Sequence, residues 1–436
     1  MDSVYRCCCG LDVHKDTVAA CLRKIGDDGK THIEKRTYST MTKELLALSD
    51  WMTSEGVTHV AMESTGVYWK PVWNILEGGF TVLLVNARHI KQVPGRKTDM
   101  KDCEWIAQLL QHGLLNASFV PPTPIRELRD LTRHRAKVIG EQATVANRIQ
   151  KTLEDANIKL ASVATDVMGV SGRAMLKAII SGQEDPKVLA DLAQRRLRGK
   201  IPQLKLALEG RVTGVSKYLK DHPLPPQLKL ALEGRVTEHH RFMLGTLLDQ
   251  CEYLESLVKR LDNRIEDVMR PFEESVELLK SIPGVEQRTA ENLIAEIGNN
   301  MDQFPSAEHL ASWAGMCPGN NESAGKRKSG KTPKGNRWLR RTLNQSAWAA
   351  SHTKNTYLSA QYRRLASRRG KKRAIVAVGH TMLKIVYHML KHKVSYHDLG
   401  NDYFDRINSE SLKRHLVKRL EKLGHKVILE SLKEVA

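Results

Sequence analysis

Residues 6–13 read RCCCGLDV, and the fold turns on that run. A continuous apolar stretch of this length reads as a strand covered on both faces. One acid, Asp12, interrupts it. Working outward, residues 17–23 and 31–38 read as two further strands and 43–53 has helical spacing. Residues 58–63 (THVAME) form another strand, ending at Glu63. A helix is expected over 68–76 and an apolar strand over 80–85. A last helix opens at Thr98 or Asp99 and runs to about His112. Strands mixed with crossing helices predict an α/β layer domain over residues 1–120.

Four acids stand out in that domain: Asp12, Glu63, Asp99 and Asp102. A carboxylate inside an apolar strand is costly unless it is paired or bound to a cation. Asp99 and Asp102 stand three apart at a helix start and so face the same way. Singly, each has a plain reading: Asp99 as an acid favoured at a helix N-terminus, Asp12 as a turn cap, Glu63 as a strand-end surface residue. Together they form a hard-oxygen set suited to Mg²⁺ or Mn²⁺, able to flank a phosphate and stabilise a leaving oxygen. His14 and Asp16 read as solvent-side neighbours of Asp12. Arg96 and Lys97 read as phosphate contacts or as part of a loose charged loop.

The charge balance points to a polyanion. The 436-residue chain carries a formal charge of +20, and residues 323–373 hold sixteen Lys and Arg with no acid. The acid-free stretch extends to residue 397. Like charges packed this densely call for a neutralising partner, and their concentration in one region favours a nucleic-acid face. The seven cysteines are odd in number and show no CxxC or Cys/His ligand spacing. That pattern predicts reduced thiols and argues against a zinc site or a disulfide framework. The first residues lack the apolar core of a signal peptide. Residues 374–390, broken by His380, Lys384 and His388, are too short and too polar to span a bilayer. The expectation is a soluble, cytoplasmic protein with no membrane partner.

Pro121, Pro122 and Pro124 mark the next boundary. In the region 121–275 one long helix is expected over 125–161 and a second over 239–269. In the second, Leu247, Cys251, Leu254, Val258, Leu261, Ile265 and Val268 alternate steps of four and three. This heptad seam predicts a coiled coil, with an oligomer through it preferred over a helical hairpin within one chain. Residues 202–213 and 226–237 both read PQLKLALEGRVT. One repeat makes no solenoid; the duplication 202–237 is assigned no chemistry.

The region 276–405 is expected to be mainly α. Residues 281–298 (SIPGVEQRTAENLIAEIG) have the pattern of a helix-hairpin-helix, whose turn at Gly284 and following helix start could offer N–H groups to a phosphate. An ordinary helical hairpin would use the same glycine. A short helix over 304–315 is capped by Ser306, and residues 317–323 (CPGNNES) read as a loop delivering Ser323. Residues 326–334 should be flexible until bound, and a helix resumes over 335–351. Lys326, Arg327, Lys328, Lys331, Lys334, Arg337, Arg340 and Arg341 are the candidate nucleic-acid contacts. Serine is a poor nucleophile unless it is deprotonated or its target is activated. No His adjoins Ser323, but a metal-clamped phosphate neutralised by Lys and Arg is a sufficient activator. Alone, Ser323 reads as a phosphate-binding loop serine, and Ser329 is its rival. A second basic run over 363–373 precedes the apolar helix 374–390. The tail, 406–436, reads as an accessory amphipathic helix followed by a strand-like HKVILES.

These motifs carry a resemblance. GLDVHKD around Asp12, AMESTGVYW around Glu63, KTDMKD with Asp99 and Asp102, the 281–298 hairpin, CPGNNESAGKRKSGKTPKGNRWLR and the late YHDLGNDYFDR occur in that order. In this the chain resembles the insertion sequence one-ten family of transposases, also called DEDD transposases or bridge-RNA-guided recombinases. The duplicated 202–237 segment departs from the family pattern. The resemblance implies a RuvC-like first domain with a ribonuclease H-type sheet. It also implies Mg²⁺ on Asp12, Glu63, Asp99 and Asp102, and a covalent bond from Ser323 to DNA during strand exchange. The implied partners are donor and target DNA and a structured guide RNA encoded by the element. The implied assembly is a homodimer pairing into a tetramer. The residues alone leave two other readings open: a junction-resolving metal nuclease that uses water, and a non-catalytic nucleic-acid scaffold.

Overall fold

The computed structural model describes residues 3–64, 66–87, 90, 102–209, 236–319, 321–323, 326–407 and 409–429. The chain divides into two compact units, Met1–Pro121 and Pro122–Ala436.

The first unit is a five-stranded sheet with helices on both faces. Strands β1 (Cys7–Val13), β2 (Thr17–Ile25), β3 (Thr31–Ser39), β4 (His59–Glu63) and β5 (Thr81–Val85) stand in the order β3-β2-β1-β4-β5. β1, β2 and β3 pair antiparallel, while β4 and β5 run parallel to β1. The pleat of β1 assigns its residues alternately to two cores. Cys9, Leu11 and Val13 join Val60, Met62 and Leu84 against α1 (Thr42–Ser54) and α2 (Trp69–Leu76). On the other face Cys8, Ala61 and Val85 meet Trp105, Ile106, Leu109 and Leu110 of α3 (Asp102–Gln111). Burial on both faces accounts for the continuous apolar run of residues 6–13. The last helix begins at Asp102; its expected start at Thr98 or Asp99 lies outside the described residues.

Gly10 sets how closely α3 can lie. A Cβ there would stand 2.3 Å from the Ala107 amide nitrogen and 2.5 Å from the Cys103 carbonyl oxygen. At the far end of α3 the Gln111 carbonyl accepts from Val4 and Tyr5 N–H at 2.8 and 3.2 Å. The helix therefore runs antiparallel to β1, and its first turn lies at the end of β1 that carries Asp12.

Among its described residues the second unit has helices and one small ribbon, with no other strand. α4 (Thr123–Asp155) and α5 (Glu238–Met269) form an antiparallel pair, shown by cross-links between Arg135 and Asp262, Gln142 and Glu255, and Asp155 and His240. The heptad residues Leu247, Cys251, Leu254, Val258 and Leu261 are buried in one cluster with Val138, Val145, Ile149 and Leu153 of α4. The seam is thus filled by the same chain. A preferred reading of it as an intermolecular coiled coil is corrected to a helical hairpin. The expected helix over 125–161 ends at Asp155, because Asn157 turns left-handed at φ 59°, a conformation asparagine tolerates. α5 starts at a reciprocal cap: Thr237 Oγ1 accepts from His240 N–H, and His240 Nδ1 accepts from Thr237 N–H. The duplicated segment is described only at its edges, the first copy entering helix Ile201–Leu208.

Beyond α5 come α6 (Glu273–Lys280), α7 (Gln287–Ile297), α8 (Ala307–Trp313), α9 (Arg337–His352), α10 (Tyr357–Arg369) and α11 (Lys371–His392). A charged helix, Ser409–Lys422, follows, but residues 425–429 are irregular, not the expected strand. With short polar and charged residues around them, they find no partner strand among the described residues. No described helix is long and apolar enough to cross a membrane.

All seven cysteines are free thiols. Burial, above all, pushes Cys8 and Cys21 up to about 12. At pH 8 both should stay protonated and resist iodoacetamide for as long as the sheet is folded, and react after addition of guanidinium. Peptide mapping of the labelled protein checks this; rapid labelling of native protein at Cys8 would refute the packing of α3 on β1.

Candidate functional site

Each unit carries one candidate, and each is built by an unusual close approach. In the first unit, β1 and β4 run parallel with Leu11 opposite Met62. One step further along, Asp12 and Glu63 end up on adjacent strands and on the α3 face, continuing the Cys8 and Ala61 alternation. Neighbouring strands stand about 4.8 Å apart, so two half-buried carboxylates sit side by side at the C-terminal edge of the parallel strands. The antiparallel course of α3 brings Asp102, its exposed first residue, to the same edge. His14, also exposed, places Nε2 3.2 Å from Asp12 Oδ2. Nearby, Lys35 hydrogen-bonds Glu104, and that bond first of all raises the Lys35 pKa.

Carboxylate oxygens are the donor chemistry a hard divalent cation takes. Among the described residues, however, no three His, Cys, Asp or Glu side chains are grouped closely enough to hold a metal ion. Asp99, Arg96 and Lys97 lie outside the described residues. The register thus places Asp12 and Glu63 on adjacent strands and one face, and α3 begins at the same edge with Asp102.

In the second unit the expected loop over 317–323 is corrected. Asn321–Ser323 is a strand, β6, paired antiparallel with β7 (Lys326–Ser329), so residues 326–329 also belong to a ribbon. Alternation was hidden in the sequence by a register irregularity at Asn321/Glu322 and by the absence of apolar residues. Ser323 pairs with Lys326 at the tip, whereas Ser329 pairs with Asn321 at the base. Lys326, Arg327 and Lys328 occupy β7.

A glycine neck closes the ribbon. Gly319 N–H donates to the Lys331 carbonyl at 3.2 Å. Below it, Gly335 lies so close to the end of α8 that a Cβ would stand 2.3 Å from the Ala314 carbonyl oxygen. Asn336 then caps α9, its Oδ1 accepting from Trp338 and Leu339 N–H at 3.0 and 3.2 Å. Its Nδ2 donates to the buried Glu296 at 2.6 Å. Arg340 spends two donors on the same loop, to Pro333 O at 3.1 Å and Thr332 Oγ1 at 3.0 Å. Lys331, Lys334, Arg337 and Arg341 are exposed.

Gly284 has a structural account. Its φ is +82°, and a Cβ would stand 2.6 Å from Ser346 O and 2.7 Å from Ala350 N of α9. The hairpin between α6 and α7 is packed on α9 at that point, which is a sufficient reason for glycine.

Residue-by-residue reading missed several groups. Arg133 donates twice to Glu296, at 2.7 and 2.8 Å. Arg129 reaches the Ala295 and Glu296 carbonyls at 3.1 and 2.7 Å. Arg135, almost fully buried, bridges Asp262, Glu291 and Asn292. Burial, the largest influence, pulls Arg129 down to about 10, so it stays charged at neutral pH.

Two family models match regions centred on these features. A DEDD-type IS110 transposase model matches residues 9–158, and the model described as transposase of the IS116/IS110/IS902 family matches residues 276–363. The chain belongs to the IS110 family of transposases. A DEDD transposase domain implies use of a divalent metal. The chain is also 30% identical over 120 residues to the "Insertion element IS110 uncharacterized 43.6 kDa protein" of Streptomyces coelicolor. That match covers 27% of this chain and 29% of the relative.

The neck gives a direct expectation. Gly335→Ala must displace backbone at 2.3 Å, which no side-chain rotation relieves. Arg135→Ala leaves Glu291 buried without its cation, and breaking such a pair costs about 3–5 kcal/mol. Both should lower the melting temperature followed by circular dichroism. The exposed Lys151→Ala should change stability by no more than about 0.5 kcal/mol. An Arg135→Ala protein that melts like the parent would refute the buried network.

Proposed function

We propose that this protein is a divalent-metal-dependent, RNA-guided DNA transposase that cuts and rejoins strands through a phosphoserine intermediate. The observation that carries the reading is the carboxylate pair Asp12 and Glu63, set side by side where the sheet meets the start of α3. The sheet order β3-β2-β1-β4-β5 supports reading the first unit as RuvC-like. The position of Ser323 at the ribbon tip, next to a stretch without acids, supports it as the nucleophile over Ser329.

Asp12, Glu63, Asp99 and Asp102 would hold Mg²⁺ or Mn²⁺, which when bound polarises the phosphate and stabilises the leaving oxygen. Ser323 Oγ loses its proton as it bonds to phosphorus, and a deoxyribose oxygen leaves with the bonding pair and takes up a proton, so the step is proton-neutral overall. One phosphodiester is exchanged for another ester of similar energy, so the strand can be rejoined without an external energy source. Lys326, Arg327, Lys328, Lys331, Lys334, Arg337 and Arg341 hold phosphates, with Arg340 fixing the loop. Arg96 and Lys97 are proposed phosphate contacts of the first unit. The N-terminal end of α7, beyond Gly284, is a further place for a phosphate. The nucleic-acid partners are donor DNA, target DNA and a guide RNA encoded by the element. Base pairing then supplies sequence choice while the protein reads shape and backbone. The working assembly is a dimer pairing into a tetramer.

The test uses purified full-length protein with the element's flanking DNA and its transcript. Ser323→Ala should abolish the detergent-stable protein–DNA adduct while DNA affinity stays within about twofold of the parent. Asp12→Asn should lower strand cleavage by on the order of a hundredfold or more, and chelation should do the same until Mg²⁺ is restored. If Ser323→Ala still cuts at the parent rate, a water-using nuclease replaces the transposase reading. If Asp12→Asn retains full activity, the metal role is wrong.

A further inference from the structure

The outer face of α9 carries a feature that charge alone does not explain. Leu339, Thr342, Leu343, Ser346, Ala347 and Ala350 are buried on one side of the helix. Arg337, Arg341, Gln345 and Trp348 are exposed at steps of four, four and three, which aligns them on the opposite side. Trp348 is 61% exposed. One exposed apolar residue by itself needs no ligand; the groups around Trp348 are what point to one.

Its surroundings define that ligand. His352 Nδ1 lies 2.8 Å from the Trp348 carbonyl, which can only accept, so Nδ1–H donates and fixes the imidazole. That imidazole braces the indole with ring centroids 4.4 Å apart. Lys334, Arg337, Arg341, Asn344, Gln345 and Trp348 line one open groove. A flat aromatic platform, the Arg341 cation two helical turns away (about 10 Å) and the exposed amide of Gln345 match the parts of a nucleotide: π-face, phosphate and base edge. An apolar protein surface would fit Trp348 but would leave the cations unmatched.

We propose that Trp348 is a stacking platform for an unpaired base of a DNA or RNA strand. Arg341 and Lys334 take the adjoining phosphates, and Gln345 faces the base edge. The proposal rests on α9 being a nucleic-acid face and goes further in requiring a strand whose base is out of the duplex. Base–aromatic stacking is tolerant of sequence and is lost on truncation to alanine.

The experiment measures fluorescence anisotropy of full-length protein with labelled probes of about twelve nucleotides: single-stranded DNA, single-stranded RNA and a DNA duplex. Trp348→Ala should weaken at least one single strand by about tenfold and change the duplex by less than about twofold, with an unchanged melting temperature. Trp348→Phe should recover most of the loss. The two single-stranded arms tell which nucleic acid supplies the base. Loss on all three probes alike, or on none, overturns the stacking role. Trp348→Ala that alters the sedimentation coefficient but not strand affinity also overturns it, making this face a contact between copies of the chain. The double variant Arg337→Ala/Arg341→Ala separates the two ideas. It should weaken every probe, and if it weakens none, the nucleic-acid face itself is wrong.

Discussion

The second unit depends on one buried carboxylate. Glu296 is 2% exposed, an environment that no ionised group tolerates without partners. It has them: the fork of Arg133, the flank of Arg129 and the amide of Asn336. Arg133 and Arg129 belong to α4, Glu296 to the last turn of α7, and Asn336 to the first turn of α9. Three helices far apart in sequence therefore meet on one residue. Asn336 has its other end on the α9 backbone, so the same carboxylate that pins the long hairpin also fixes where the cationic helix begins. Arg135, two residues on from Arg133, makes a similar link, joining α4 to α5 and α7. Buried ion pairs add little net stability against an apolar replacement, but they are costly to mismatch. That property suits a part that must sit in one place, which here is the start of the ribbon and of α9.

The first unit reaches a comparable result with no buried charge among its described residues. Its constraint is steric. Gly10 lets the α3 backbone rest directly on β1, and anything larger would lift the helix off the sheet. The carboxylates are then placed by register alone. Asp12 and Glu63 fall on one face because parallel strands keep step, and Asp102 arrives because α3 runs opposite to β1. Shifting either strand by one residue would send its acid to the α1 and α2 face, into an apolar core. The apolar alternation that forms the two cores is therefore also what keeps the acids together.

Which of these features could be read from the chain follows from their range. The five strands and their helices were legible because each is a local pattern: an apolar run, an alternation, a helical spacing. Asp12 was legible as an anomaly within such a run. The seam on α5 was read correctly as a seam, but its partner was not, since a heptad does not say whether the opposite helix belongs to the same chain. The ribbon at Ser323 was invisible, because polar residues paired over a few positions resemble a loop. Gly284 was noticed for the right local reason, a tight turn, while the close approach of α9 that also demands glycine is set by residues more than sixty positions later. Arg129, Arg133 and Arg135 lie in a helix that was expected, but nothing local singled them out. Their acids stand more than 120 residues away, and no local signal marks such a pair.

The same residue type thus has two fates in one unit, decided by what lies opposite. Arginines of α4 face carboxylates of α5 and α7, are withdrawn from water, and act as structure. Arg337 and Arg341 of α9 lie in a stretch of 75 positions, 323–397, that contains no acid, and they stay exposed. Cations left without a carboxylate draw mobile counterions, and a polyanion that displaces those ions gains their release. The internal network makes that outer face possible, because it anchors α9 from behind without drawing on the cations in front. A protein that neutralised Arg337 and Arg341 internally would hold α9 as firmly and would give up its attraction for a phosphate backbone.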